Sequence, residues 1–230
     1  MSDKHISSQF DAQLDTLCAK VLYMGDLVEA QLRSALNALS DGNENVSDTF
    51  IGNEERIDAL EVEIDADCAN IIALRQPTAR DLRLVLGTSR MVSNLERAGD
   101  EAEKVMLRTG MILRSPIPYG FDFSEVKISG DMAVSSLRKS LAAFRTLDSD
   151  SAAAIVREDK AIDAQFRGFV RKLMTHMMED PKTISVSLDF LFVAKAIERF
   201  GDHAKNFCES VIYVAKGWDV RHGHLTQGNA

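Results

Sequence analysis

The sequence carries one short acidic motif twice. The stretch Leu95–Asp100 reads Leu-Glu-Arg-Ala-Gly-Asp and Ile197–Asp202 reads Ile-Glu-Arg-Phe-Gly-Asp, so both contain Glu-Arg-x-Gly-Asp. Residues four apart share one face of a helix, and each copy therefore places a glutamate and an aspartate side by side. Such a like-charge pair destabilises a helix by about 0.2–0.5 kcal/mol, and an interior glycine costs about 1 kcal/mol more. A divalent cation held between the carboxylates is the simplest explanation for both features.

A second pair of acids, also four residues apart, precedes each motif. Glu54 and Asp58 in the first half match Asp159 and Asp163 in the second. Glu54 and Asp159 take positions in apolar helical stripes where a hydrophobic residue is expected. If the two acidic helices of each half are neighbours, four carboxylates converge there. The predicted metal ligands are Glu54, Asp58, Glu96, Asp100, Asp159, Asp163, Glu198 and Asp202.

The chemistry of these ligands narrows the choice of ion. An all-oxygen cluster suits hard cations such as Mg²⁺, Mn²⁺ or Ca²⁺, and carboxylate-bridged bundles also hold iron. We expect a divalent metal ion as cofactor, with Mg, Mn, Fe and Zn as candidates. The alternative is a solvated helix face, in which Asp100 pairs with Lys104 and Asp202 with Lys205. His203 is a further candidate ligand of the second cluster, although Glu101 stands at the matching position.

The elements that position these residues are long amphipathic helices. Apolar residues recur in steps of three and four over six segments. Cap, proline and glycine signals delimit them. The predicted helices span about 6–39, 46–75, 78–113, 124–146, 151–178 and 181–216, and Asn45, Thr78 and Asp180 are the expected caps. Arg114–Gly120 contains two of the four prolines and is the best linker.

The order of these helices indicates an internal duplication. Two sets of three helices carry matching acidic pairs, and Pro77 matches Pro181. We therefore predict an all-α fold made by tandem duplication of a three-helix bundle, with six long helices. The expected domains are residues 5–113 and 123–217, joined by a linker at 114–122 and followed by a polar tail at 218–230.

Composition excludes several classes of protein. The chain has 230 residues, 45% of them hydrophobic, and a net charge of −8 without a basic run, which argues against a nucleic-acid partner. No signal peptide or apolar run long enough to span a membrane is present, and the separated cysteines predict a reduced, cytoplasmic protein. The series Arg75, Arg80, Arg83, Arg90 and Arg97 is interpreted as a solvated face with internal ion pairs, or as a docking surface for an acidic partner or phosphoryl group.

Enzyme motifs are missing from the sequence. It has no Gly-rich phosphate loop and no Ser/His/Asp or Cys/His arrangement. A ferritin-like di-iron oxidase requires Glu-x-x-His on two helices, whereas Gly99 and Gly201 stand three residues after the motif glutamates. A non-enzymatic role is predicted, and the alternative is a metal-dependent hydrolase or oxidase that uses the same carboxylates.

The doubled motif and the doubled helix layout resemble the PhoU family of bacterial phosphate-uptake regulators. Arg75–Leu84 is similar to the family's stretch between the second and third helices, and Met174–Asp180 is similar to the corresponding stretch of its second half. The likeness extends over about residues 5–222.

The resemblance implies a negative regulator of the phosphate-starvation response. Such proteins link the ATPase of the high-affinity phosphate ABC transporter to a sensor histidine kinase, are cytoplasmic, meet the membrane only through these partners, and often form homodimers. Their acidic motifs bind metal, which is carried over to the eight carboxylates named above. The family's second motif continues to an asparagine, matched by Asn206. Because Lys104 stands there in the first copy, the resemblance implies unequal metal occupancy.

Overall fold

The computed structural model describes residues 8–42, 48–115 and 122–221. Within these ranges the regular structure consists of six long α-helices and one short 3-10 turn, Pro181–Thr183, so the predicted all-α fold is confirmed. No described helix combines the length and the apolar character that crossing a bilayer requires. The helices are α1 (Ser8–Asp41), α2 (Asp48–Arg75), α3 (Ala79–Arg114), α4 (Ser124–Thr146), α5 (Ser149–Glu179) and α6 (Ile184–Lys216).

Helix ends follow local capping chemistry, with some departures from the prediction. The Asp148 side chain accepts hydrogen bonds from the backbone N–H groups of Asp150 and Ser151, so α5 begins two residues before the predicted start. Thr78 occupies the N-cap position of α3, but its side chain makes no capping hydrogen bond there. The predicted cap at Asn45 and residues 116–121 of the linker lie outside the described residues.

The two repeats share one hydrophobic core. Buried side chains from all six helices form a single cluster, and three of its largest members, Phe190, Phe200 and Phe207, lie on α6. The third helix of each repeat packs against the other, and α3 with α6 is the most extensive helix pair in the molecule. The repeats are therefore joined along their acidic third helices.

A reciprocal contact between α1 and α4 also joins the repeats. Leu141 packs onto Gly25, and Leu36 packs onto Gly130, so closely that a Cβ on either glycine would overlap the leucine. Each pair maps onto the other when the halves are exchanged with an offset of 105 residues. The two repeats are therefore related by a pseudo-two-fold arrangement at this contact.

The cysteines contribute to packing. Cys18, Cys68 and Cys208 are free thiols, and Cys68 and Cys208 are buried. Burial raises the pKa of Cys68 and of Cys208 to about 12, so both thiols stay protonated at neutral pH. The Cys68 side chain therefore behaves as the small buried hydrophobic residue that its place on the apolar stripe predicts.

Candidate metal centre

Helices α2 and α3 bring the four predicted acids of the first half into one electrostatic unit. Burial raises the pKa of Glu54, and the charges of Glu103, Asp58 and Asp100 raise it further. Burial also raises the pKa of Glu96, followed by the effects of Asp100, Glu61 and Asp58. Each glutamate thus senses acids on its own helix and on the neighbouring helix.

Two more acids belong to this site, and the sequence analysis missed both. Burial raises the pKa of Glu61, with Asp65 and Asp58 adding to it, and Glu103 lies within hydrogen-bonding reach of Glu54. The signal was present in their spacing, because each follows a predicted ligand by three residues on the same helix face. The first acidic cluster comprises Glu54, Asp58, Glu61, Glu96, Asp100 and Glu103.

Little positive charge offsets this cluster. In the part of the chain that the structure describes, no Lys, Arg or His forms a salt bridge with any of its six carboxylates. Arg97 lowers the pKa values of Glu61 and Glu96, but it acts against the larger effects of burial and of neighbouring acids. The first acidic cluster therefore concentrates uncompensated negative charge.

The second acidic cluster lies between α5 and α6 and comprises Asp159, Asp163, Glu198 and Asp202. Burial raises the pKa of Asp202, and the charges of Asp159, Glu198 and Asp163 add to this effect. Asp159 is the most enclosed of the four, with 5% of its surface exposed. The other three predicted ligands of the second half therefore lie near enough to Asp202 to raise its pKa, and their role as ligands stays a prediction.

Three basic side chains offset most of the charge of the four carboxylates in the second acidic cluster. Lys205 Nζ lies 3.1 Å from Asp159 Oδ2 and 3.9 Å from Asp202 Oδ1. Lys195 Nζ lies 2.5 Å from Glu198 Oε2, and Arg167 Nη1 lies 4.0 Å from Asp163 Oδ2. Every predicted ligand of this half consequently has a cationic partner from the protein itself.

The difference between the clusters comes from four substitutions at equivalent positions. Offsets of 102 residues on the third helices and 105 on the second helices align Lys205 with Glu103, Lys195 with Ser93, Arg167 with Val62, and Phe166 with Glu61. Each exchange makes the first cluster more negative than the second or leaves it without a local cation. Charge, and not position, distinguishes the two sites.

Neither cluster is arranged as a finished metal site. Within the described residues, no group of three or more His, Cys, Asp and Glu side chains is placed so that it could hold an ion. The donors of the first cluster are nevertheless all carboxylate oxygens, the ligand type that a hard divalent cation prefers, and among the described residues no salt bridge offsets them. In the second cluster Lys205 takes the place between Asp159 and Asp202, so an ion fits there only after this lysine moves.

The motif glycines receive side chains from the neighbouring helices. A Cβ on Gly201 would lie 2.9 Å from Ile162 Cδ1, and one on Gly99 would lie 3.4 Å from Gln31 Oε1. Gln31 has 1% of its surface exposed, and neither end of its amide has a hydrogen-bond partner. An unpaired buried amide beside the Glu-Arg-x-Gly-Asp motif is costly, which makes Gln31 a candidate polar contact for a group bound nearby.

Of the alternatives for the basic residues, the pair of Lys205 with Asp202 is present, at 3.9 Å, and two others are not. Lys104 does not pair with Asp100; its Nζ lies 3.0 Å from Glu101 Oε1. Glu101 is buried and also receives Arg199 from α6, at 3.2 Å. His203 faces away from the second cluster, with Nδ1 3.4 Å from Asn94 Oδ1 on α3.

The arginine series from the end of α2 along α3 lacks the predicted internal ion pairs. Arg75 donates to Gln13 Oε1 at 2.8 Å, and Arg90 lies over the Tyr213 ring at 5.0 Å. Arg83 lies beside Gly217, at the end of α6. Among the described residues none of these arginines forms a salt bridge, and only Arg75 and Arg90 have the polar or aromatic partners just named.

Comparison with known proteins places both acidic clusters in a repeated domain. The family model of the PhoU domain matches residues 21–109 and again residues 126–211. A Burkholderia sp. protein named phosphate-specific transport system accessory protein PhoU homolog is 48% identical over 223 residues, covering 96% of this chain and 95% of that protein. The Escherichia coli (strain K12) accessory protein PhoU is 42% identical over 220 residues, covering 96% and 90%.

Solved structures of the same family share the fold. The crystal structure of PhoU from Pseudomonas aeruginosa matches with a TM-score of 0.85 and 38% identity, over 90% of this chain and 99% of that one. The phosphate transport system regulatory protein PhoU from Streptococcus pneumoniae matches with a TM-score of 0.83 and 26% identity, over 92% and 99%. The two repeats, their acidic clusters and these near full-length similarities show that the chain belongs to the PhoU family.

Proposed function

We propose that this chain is a negative regulator of phosphate uptake and of the phosphate-starvation response. It acts as an adaptor between the ATPase of the high-affinity phosphate ABC transporter and the sensor histidine kinase of the phosphate regulon. The observation that carries the proposal is the near full-length similarity to proteins named as accessory to the phosphate-specific transport system. The protein works in the cytoplasm and contacts its membrane-bound partners from that side. It has no catalytic activity of its own.

The proposed role includes the binding of a divalent metal ion. Glu54, Asp58, Glu96 and Asp100, joined by Glu61 and Glu103, provide the ligand oxygens of the first site. A bound ion offsets the repulsion among these carboxylates and adds positive charge to an acidic surface. We expect the protein to form a homodimer. We expect the kinase or the transporter ATPase to contact its acidic surface.

A reporter strain tests the regulatory part of the proposal. Deleting the gene is expected to switch on phosphate-starvation genes in phosphate-rich medium, and the native protein should restore repression. The variant Glu96→Gln with Asp100→Gln is expected to fold, because the core is apolar, yet to repress poorly. Gly110→Ala, at an open helical position, is the matched control and should repress normally.

Two results would contradict the proposal. Normal repression in the deletion strain, in the absence of a second copy of the gene, would remove the regulatory role. Hydrolysis of a phosphoester or consumption of oxygen by the Mn²⁺-loaded protein, lost in the Glu96→Gln and Asp100→Gln variant, would favour a metal-dependent hydrolase or oxidase instead.

A further inference from the structure

Lys205 lies between two carboxylates of the second acidic cluster. Its Nζ is 3.1 Å from Asp159 Oδ2 and 3.9 Å from Asp202 Oδ1. One oxygen comes from α5 and the other from α6, so the ammonium group bridges the two helices that carry the predicted ligands of this half. An ammonium and a metal ion cannot occupy this position together.

The burial of Asp159 explains why a cation is needed there at all times. With 5% of its surface exposed, an ionised Asp159 requires a partner, because an unpaired buried charge is strongly unfavourable. Lys205 meets this requirement in the structure. A divalent ion bound to Asp159 would meet the same requirement, so the lysine and an ion would compete for this carboxylate.

The lysine can leave without unfolding a helix. Its side chain is 32% exposed, and a lysine carries its charge on a flexible four-carbon chain. A groove of about 380 Å³ between α4 and α5 is lined by Asp159, Ile162 and Ser136. This groove opens directly onto Asp159 and gives an incoming cation access to the carboxylate.

The first half has no such lysine. Glu103 occupies the position equivalent to Lys205 and lies against Glu54, the counterpart of Asp159. Gln31, whose counterpart is Ser136, adds a buried amide without a hydrogen-bond partner beside Gly99. At equivalent positions, therefore, the first repeat has Glu103 and no cation, whereas the second repeat has the positively charged Lys205.

We propose that Lys205 is a tethered cation that occupies the second acidic cluster, so that a divalent ion enters this cluster only by displacing the lysine. The inference rests on the proposed metal binding and specifies how it is regulated. The first cluster takes up the ion at low concentration, and the second takes it up at higher concentration. Residue 103 in the first repeat and residue 205 in the second determine this order.

Binding of Mn²⁺ alone, followed by electron paramagnetic resonance of the free ion, tests the proposal on the full-length protein. The background Glu96→Gln with Asp100→Gln isolates the second cluster, and Glu198→Gln with Asp202→Gln isolates the first. In the first background, Lys205→Gln is expected to raise Mn²⁺ affinity about tenfold or more, because it removes a like charge within 4 Å. Lys205→Arg, which keeps the charge, should leave the affinity low.

The reciprocal substitution, which introduces a lysine into the first cluster, tests the same claim at a position where we expect the variant to fold. With the first cluster isolated, Glu103→Lys is expected to lower Mn²⁺ affinity about tenfold or more below that of Glu103→Gln, which removes the same carboxylate without adding a positive charge. Glu103 is half-buried and its replacement leaves the core intact, so this arm decides the question if Lys205→Gln fails to fold. Lys104→Gln, which removes a neighbouring lysine bonded to Glu101, is the matched control and should change neither affinity.

The possible outcomes separate this inference from the proposed function. Unchanged affinity in both Lys205→Gln and Glu103→Lys, with Mn²⁺ still bound to the first cluster, would overturn the tethered cation alone. Tighter Mn²⁺ binding to the second cluster than to the first in the native sequence would also overturn it. Absence of Mn²⁺ binding in every variant would refute the metal sites of the proposed function and this inference together.

Discussion

The first acidic cluster, between α2 and α3, and the second, between α5 and α6, stand on equivalent positions of a duplicated frame. The frame has been kept, as the reciprocal contacts of Leu36 with Gly130 and Leu141 with Gly25 demonstrate. The charges have not been kept. Where the second repeat places Lys205 against Asp159, the first places Glu103 against Glu54.

The comparison indicates that charge diverges between the repeats of a duplicated bundle more easily than packing does. A buried leucine that fits onto a glycine of the other repeat tolerates little change, because interiors are close-packed. A half-exposed side chain at the edge of a cluster can change its charge without disturbing that packing. Two sites of the same geometry can therefore differ in the ions they accept.

The largest expected effect concerns the leucine–glycine contacts that join the two repeats. Leu36→Ala and Leu141→Ala should each lower the free energy of unfolding by about 2–5 kcal/mol, because each removes a buried side chain from the contact between the repeats. Chemical denaturation monitored by circular dichroism measures both. Because the contacts are reciprocal, the two losses should be similar.

Gly110→Ala is the control for this pair. It lies in an open part of α3 and is expected to stabilise the helix by about 0.5–1 kcal/mol. A large loss in one leucine variant and almost none in the other would show that the repeats are not packed symmetrically.

A smaller effect separates the two clusters in the absence of metal. In the presence of a chelator, Lys205→Met should lower the free energy of unfolding by about 1–3 kcal/mol, a value reduced for the partial exposure of the lysine. It leaves Asp159 buried without a partner. Glu103→Gln, at the equivalent position, should instead keep or slightly raise stability, since it removes one of several repelling charges. Changes of the same sign in both variants would contradict the proposed difference between the clusters.

The pH dependence gives the smallest effect. Because the pKa values of Glu54 and Glu96 are raised in the folded protein, the folded state binds protons more tightly than the unfolded chain. The metal-free protein should therefore lose stability from this source as the pH rises above the ordinary glutamate value of 4.5. Replacing both with glutamine should raise the melting temperature more at pH 7.5 than at pH 4.5. An equal gain at both pH values would rule out this linkage.

The helices and the acidic positions could be predicted from the sequence for a physical reason. Stripes such as Leu14, Leu17 and Val21 must be buried, and all three are. Acids on one face of a helix are expected to lie near the acids on the facing side of the neighbouring helix. Their positions can therefore be predicted once the neighbouring helix is identified. The bounds of α4 match the prediction at both ends.

The charge balance of the clusters could not be predicted in the same way. A lysine reaches several faces of a helix, so Lys104 could equally pair with Asp100 or Glu101, and the packing of α3 against α6 selects Glu101. That same packing turns His203 towards Asn94. The family resemblance pointed to Lys104 as the source of unequal metal occupancy, whereas the lysine that lies within an acidic cluster is Lys205.

One missed feature did have a signal. The stretches that begin at Gly25 and Gly130 both read Gly-Asp, then five residues, then Leu-Arg and, after two more residues, Leu. The final leucine of each is the one that packs onto the glycine of the other. A search for repeats on the first helix of each half would have indicated this contact.

An anomalous-scattering map from crystals of the native protein at limiting Mn²⁺ tests the central claim most directly. We expect a manganese peak among Glu54, Glu96 and Asp100, and none between Asp159 and Asp202, where Lys205 should remain. A peak at the second cluster with the first one empty would contradict it.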